Sequence, residues 1–202
     1  PMALDHLNEI LANCDAVMVA RGDLGVEIPL EEVPIAQQKI IDSALELGMP
    51  VIVATQMLET MTVNPRPTRA EVSDVSTAIR QGATGVMLSG ETASGKYPVE
   101  SVETMSRIAV STEQGLQSSN LKPESATRFK STRAVAHAGV ELAKMAGASR
   151  ILVATERGNA PRLVSSYRPG MPVTAVTDSL ATARRIQIPV SYTHLRAHET
   201  RF

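Results

Sequence analysis

AVMVARGDLG, residues 16–25, is the stretch whose reading decides the fold. Ala16, Val17, Met18 and Val19 form a short apolar run rich in β-branched side chains, the composition of a strand buried on both faces. The run stops on Ala20, Arg21, Gly22 and Asp23, with Leu24, Gly25 and Pro29 close behind. A buried strand that ends on charged residues delivers them to a sheet edge, where α/β folds bind ligands. Taken alone, the same residues also suit a turn at Gly22-Asp23 with a solvated Arg21 and Asp23. The pattern recurs twice more, and the recurrence favours the strand.

Working outward, residues 2–13 place Ala3, Leu7, Ile10 and Leu11 on one helical face. After the strand over 16–20 comes a loop over 21–29. A helix over 30–47 then directs Val33, Ala36, Ile40, Ala44 and Leu47 to one side, with Pro34 early and Gly48 as its C-cap. Val51–Ala54 is a second buried strand, ending on Thr55 and Gln56. A loop over 57–67 leads to Thr68-Arg69-Ala70-Glu71, a capping box. The helix it opens buries Val72, Val75, Ala78 and Ile79 and ends at Gly82. Gly85–Leu88 is the third strand, ending on Ser89-Gly90-Glu91-Thr92, and Pro98 starts a helix with Val102, Met105 and Ala109 inward. The unit of strand, polar loop and helix thus repeats at intervals of about thirty-five residues, as successive βα units do. The expectation is an α/β fold, either a (β/α) barrel wall or a doubly wound sheet. A barrel closes with eight strands, so most of any barrel lies outside these residues.

Residues 117–130 are Ser-, Lys- and Pro-containing without a period and read as a linker between a domain over 1–116 and a second α/β segment over 131–187. That segment holds a helix over 131–146 with Val135, Ala138, Leu142 and Met145 on one face, a strand over 151–154 and a turn over 155–159. A short helix over 160–166, a strand over 173–176 and a helix capped by Ser179 complete it. Residues 188–202 show no clear period and form a separate tail.

Composition excludes several classes. At 202 residues, 43% hydrophobic and 20% charged, the chain can bury a core. A net charge of −1 argues against nucleic-acid binding by bulk charge, and with no Trp, 3 Tyr and 2 Phe it has no base-stacking platform. Cys14 is the only cysteine, which excludes an internal disulfide and thiolate metal sites. No apolar run approaches membrane-span length and no signal-peptide pattern opens the chain, so a cytoplasmic location without a membrane partner is expected. The chain opens on Pro1 directly in helical pattern, which suggests a piece of something longer.

Several constellations could carry chemistry. Gly90-Glu91-Thr92-Ala93-Ser94-Gly95-Lys96 matches a phosphate-binding loop, but Tyr97 stands where Ser or Thr should hold magnesium, and Pro98 delays the helix that the phosphate cradle needs. A turn with an exposed Lys96 is the alternative. His194 and His198 have the spacing of helical zinc ligands, without a Glu beside them or a third ligand in reach. His6 and His137 read as surface or boundary residues on helices. Thr155–Asn159, between a strand and a helix and near Arg157, Arg162 and Arg168, suits either an anion site or an ordinary βα turn. The strongest set is Asp23, Thr55, Ser89 and Glu91. Each closes one of three consecutive parallel strands, so they fall side by side at one rim. A carboxylate there can hold a divalent cation, and a hydroxyl with the N–H groups around Gly22 can hold an oxyanion or carboxylate. Magnesium-assisted chemistry on a small anion is the expectation.

MVARGDLGVEIP, PVIVATQMLETM, PRPTRAEVSDV and GVMLSGETASGKYP, in this order and spacing, resemble the pyruvate kinase family from about Ala3 to Gln187. The resemblance implies that the three strands are the last βα units of a TIM (β/α)8 barrel and that 131–187 begin the family's C-terminal α/β domain. It implies phosphoryl transfer from phosphoenolpyruvate to ADP, giving pyruvate and ATP in glycolysis, with Mg2+ and K+, in a homotetramer. By resemblance Asp23 is a magnesium ligand, and the backbone at Gly22 and Asp23, with Thr55, holds the substrate carboxylate. Ser89 and Glu91 line the same pocket and take part in water or proton handling. Arg21 fixes the loop or a subunit contact.

The departures carry equal weight. The family's Lys-x-Glu pair, its potassium ligands and its lid domain precede the residues in this chain. Electrostatic stabilisation of the phosphoryl group is nearly the whole of such catalysis, so this chain alone is expected to lack activity. In the loop where responsive family members bind a sugar phosphate, Thr155, Arg157, Gly158 and Asn159 are accompanied by Glu156 and Ala160, one repelling phosphate and the other lacking a hydroxyl. The tail text SYTHLRAHET resembles translated adapter or vector sequence. Two other readings stay open: a nucleotide hydrolase built on Gly90–Lys96, and a non-catalytic assembly module built on the second domain.

Overall fold

The computed structural model describes residues 2–116 and 130–188, with the backbone alone at Lys130. The described residues fall into two compact units: 2–45 with 50–116, and 46–49 with 130–188. Each is taken by itself.

The first unit runs α1 (Met2–Asp5), α2 (Leu7–Ala12), β1 (Val17–Ala20), α3 (Arg21–Glu27), a 3-10 turn (Leu30–Glu32), α4 (Val33–Glu46) and β2 (Val51–Ala54). It continues with a 3-10 turn (Glu59–Thr62), α5 (Arg69–Gln81), β3 (Gly85–Met87), α6 (Gly90–Ala93) and α7 (Pro98–Gly115). The strands form one parallel sheet in the order β1-β2-β3. Parallel neighbours need crossovers, and α4 and α5 supply them. Val51, Val53 and Ala54 are fully buried in the central strand, and Val19 on β1, Ile41 on α4 and Val75 on α5 are buried as well. Each fully buried Val or Ile contributes about 1.5–3 kcal/mol.

Local sequence explains the helix ends. Thr68 caps α5: its hydroxyl accepts the Glu71 N–H at 3.2 Å, and Glu71 accepts the Thr68 N–H at 2.7 Å. Gly82 closes α5 in the left-handed region, at φ +113°. The left-handed backbone is what demands glycine, and a Cβ there would also push on the Leu45 Cδ1 methyl at 2.5 Å.

Several expectations are corrected. The predicted loop 21–29 is largely the helix α3, with Asp23 in its first turn, where a carboxylate suits the helix dipole, and Pro29 just beyond its end. Gly22 and Gly25 hide this helix from a propensity reading. The helix over 2–13 is broken at His6, and of its predicted face only Leu7 and Leu11 are buried. β1 is not buried on both faces: Met18 is 47% exposed on this outer strand, while Val19 is buried. Val72 and Val102 are exposed. On α7 Met105 turns inward as expected, but with Ser101, Thr104 and Ile108 rather than Val102.

The second unit runs α8 (Lys130–Met145), β4 (Ile151–Ala154), α9 (Asn159–Ser166), β5 (Val173–Val176) and α10 (Leu180–Arg185). β4 and β5 pair in parallel, Ile151 beside Val173. Ala136, Val140, Leu163, Val164, Tyr167 and Ile186 build its core. The predicted face of α8 is the opposite of the buried one. Arg133, Ala136 and Val140 turn inward, while Val135, Leu142 and Met145 are 72%, 68% and 87% exposed. Ser179 caps α10 as expected, accepting the Thr182 N–H at 3.2 Å. All of the linker 117–130 but Lys130, which already opens α8, and most of the tail, including His194 and His198, lie outside the described residues. Among the described residues no helix is long and apolar enough to cross a membrane.

Candidate functional site

Strand register assembles the rim. Ala20 pairs with Ala54, and Ala54 with Met87, so the residues that follow each strand stand in line at the carboxyl edge. Gly22 and Thr55 meet there: the Gly22 N–H donates to Thr55 Oγ1 at 2.9 Å, and the Thr55 hydroxyl donates to the Ala54 carbonyl at 2.6 Å. Thr55 and Gln56 both have left-handed backbones, φ 72° and 52°. Two consecutive non-glycine residues in that region cost about 1–2 kcal/mol each.

Arg21 braces this costly turn. Its Nη2 donates to the Thr55 carbonyl at 2.6 Å and the Gln56 carbonyl at 3.2 Å, and its Nε donates to the Thr55 carbonyl at 3.3 Å. Its Nη1 forms an ion pair with Asp74 Oδ1 at 2.7 Å. The side chain is thus spent on the loop. Sequence reasoning missed Asp74, which lies a helix away. Its only signal was its place inside the PRPTRAEVSDV block.

Ser89 and Glu91 are joined through the Ser89 N–H, which donates to Glu91 Oε2 at 2.7 Å. Glu91 Oε1 accepts the Leu58 N–H at 3.0 Å, and the side chain is fully buried. Glu71 holds the same loop further along, accepting from the Thr60 N–H at 2.7 Å and the Thr60 hydroxyl at 2.6 Å. Burial raises the Glu71 carboxyl, but hydrogen bonds from the side chains and backbones of Thr60 and Thr68 outweigh it and hold the group below its ordinary 4.5.

Asp23 is exposed in the first turn of α3, and no described residue bonds its carboxylate. A magnesium ion takes about six oxygens, usually one or two from carboxylates. No group of three His, Cys, Asp or Glu gathers among the described residues. The described residues therefore do not by themselves make a magnesium site. The Gly90–Lys96 loop is not an anion cradle. The Thr92 and Ala93 N–H groups donate to the Ser89 carbonyl, those of Ser94 and Gly95 to the Gly90 carbonyl, and that of Lys96 to the Thr62 carbonyl.

In the second unit, the Gly158 N–H donates to Thr155 Oγ1 at 2.9 Å, and Gly158 has φ +82°. A Cβ on Gly158 would meet Ile186 Cγ2 at 2.5 Å. Arg185 Nη2 donates to the Arg157 carbonyl at 2.8 Å, the Thr182 hydroxyl donates to the Glu156 carbonyl at 2.9 Å, and Asn159 opens α9.

The fold and rim define a class: a wall of parallel βα units whose strand ends carry polar groups on successive loops. The family model for the pyruvate kinase barrel domain matches residues 2–102, and that for the pyruvate kinase alpha/beta domain matches residues 133–199, a span that reaches into the tail. The chain belongs to the pyruvate kinase family. It is 47% identical to the pyruvate kinase of Sporosarcina psychrophila, over 92% of this chain and 32% of the relative. It is 48% identical to that of Geobacillus stearothermophilus, over 91% and 32%. A crystal structure of a pyruvate kinase from Cryptosporidium parvum superposes with TM-score 0.87 at 37% identity, covering 98% of this chain and 41% of that one. The chain thus spans about a third of the length of the curated relatives it matches.

Proposed function

We propose that this chain supplies one wall of the active site for phosphoryl transfer from phosphoenolpyruvate to ADP. The observation that carries the reading is the Gly22 N–H facing Thr55 Oγ1 at 2.9 Å across the ends of paired strands. The Gly22 N–H is bonded here to Thr55 Oγ1 and the Thr55 hydroxyl to the Ala54 carbonyl, and a small carboxylate arriving at the rim would draw these two donors away from those partners. Asp23, exposed beside them, is one ligand for Mg2+, which when bound offsets the charge of the phosphates. Thr55 and Gly22 hold the substrate carboxylate, Arg21 keeps their loop in place, and Ser89 faces the same rim. A second carboxylate ligand, the lysine that steadies the phosphoryl group and the K+ site belong to the part of the family pattern upstream of this chain. A homotetrameric, cytoplasmic assembly is part of the same reading.

The test is pyruvate formation from phosphoenolpyruvate and ADP in a coupled assay. The chain alone is expected to give none. A chain extended upstream to the length of its relatives is expected to turn over, and Asp23→Asn in it should lower kcat by at least about 100-fold. Turnover by the short chain, or none by the extended one, overturns the proposal. The hydrolase reading lacks support because the amides of Thr92 to Lys96 in its loop are already bonded to carbonyls.

A further inference from the structure

Glu91 is a carboxylate with 0% exposure, and among the described residues it forms no ion pair. A carboxylate is costly to bury unless its oxygens are satisfied. Here each oxygen accepts one backbone N–H, from Leu58 at 3.0 Å and from Ser89 at 2.7 Å. The two donors sit on different loops, one after β2 and one after β3. Bonds from N–H groups to a carboxylate are stronger than bonds between neutral partners. We propose that Glu91 is a positioning residue that fastens these two loops to each other and so sets the spacing of Thr55 and Ser89 at the rim. The role rests on the reading of that rim as the substrate site.

The attachment point after β2 needs outside support. Leu58 lies just past the left-handed pair Thr55-Gln56, whose carbonyls Arg21 holds. The loop is therefore fastened at one end from the β1 side and at the other from the β3 side. Ser89, which follows β3 and precedes α6, gives its own N–H to Glu91. Thr55 carries the hydroxyl that meets the Gly22 N–H. If Glu91 released Leu58, the hydroxyl would lose its place without any change to Thr55 itself. Gln at 91 keeps the volume but offers one acceptor oxygen, and its amide then confronts one of the two N–H groups. Asp is one methylene short of spanning both.

Two measurements decide the matter. In the unsubstituted, isotope-labelled chain, couplings through the hydrogen bonds should connect the Leu58 and Ser89 backbone nitrogens to the Glu91 side-chain carboxyl carbon. Absence of either coupling overturns the clamp. In the extended chain, Glu91→Gln should raise KM for phosphoenolpyruvate about tenfold and leave KM for ADP within about twofold, because the displaced groups face one substrate only. A loss of active protein with both KM values unchanged would make Glu91 merely structural and overturn the proposal. If Glu91→Gln does not fold, Glu91→Asp carries the same expectation, and if neither folds the couplings decide. If the unsubstituted extended chain does not turn over, the rim assignment falls while the couplings still judge the clamp.

Discussion

The Arg21 guanidinium reaches Asp74, Thr55 and Gln56, none of which is near it in sequence. It is mostly buried, so replacing it strands two carbonyls and a carboxylate together. Arg21→Met should cost about 1–3 kcal/mol in denaturant unfolding, and Asp74→Asn less, since the carbonyl bonds survive. Equal losses in the two variants would show that the ion pair alone matters. Glu71 makes a pH prediction. Its folded carboxyl is held below 4.5, so it contributes stability above that value, and the contribution is lost as pH falls through the lowered folded value. Stability should decline in acid, and Glu71→Gln should flatten that part of the profile. An unchanged acid limb would refute this. At this scale strand ends are readable in the sequence, and Gly22 and Thr55, expected side by side, do meet. The sequence did not show that Glu91 is fully buried or that Arg21 pairs with Asp74, because those depend on where separate βα units come together.

Among the elements, α5 and α10 were legible because their caps are local. Thr68 and Glu71, or Ser179 and Thr182, lie within one turn of each other. α3 was not legible, because two glycines mask a helix that the strand end and Pro29 delimit. α8 was read on the wrong face. Its period is helical from either side, and Ala136 and Val140 compete with Val135, Leu142 and Met145 for burial. Packing against α9 chose the former. Leu142→Lys with Met145→Lys should therefore change the stability of this chain by no more than about 0.5 kcal/mol, as surface substitutions do. A larger loss in thermal melts would mean that this face is covered.

For the molecule as a whole, three parallel strands leave the outer edges of β1 and β3 without strand partners among the described residues. Such edges template further pairing. The purified chain is expected to self-associate with rising concentration in sedimentation velocity, and the remaining barrel strands, supplied on a separate chain, should suppress this. A monomer with a cooperative melt at all concentrations would contradict it and favour the assembly-module reading. By itself the sequence determined the βα repeat, the parallel sheet, the family and the polar strand ends, because strand composition, helix period and capping are written within a few neighbouring residues. Only tertiary structure decided the fate of AVMVARGDLG. Met18 faces outward, Arg21 is committed to the next loop, and Gly22 meets Thr55. Those outcomes depend on which strand lies beside β1 and in what register, and a period of two or 3.6 residues carries no record of that.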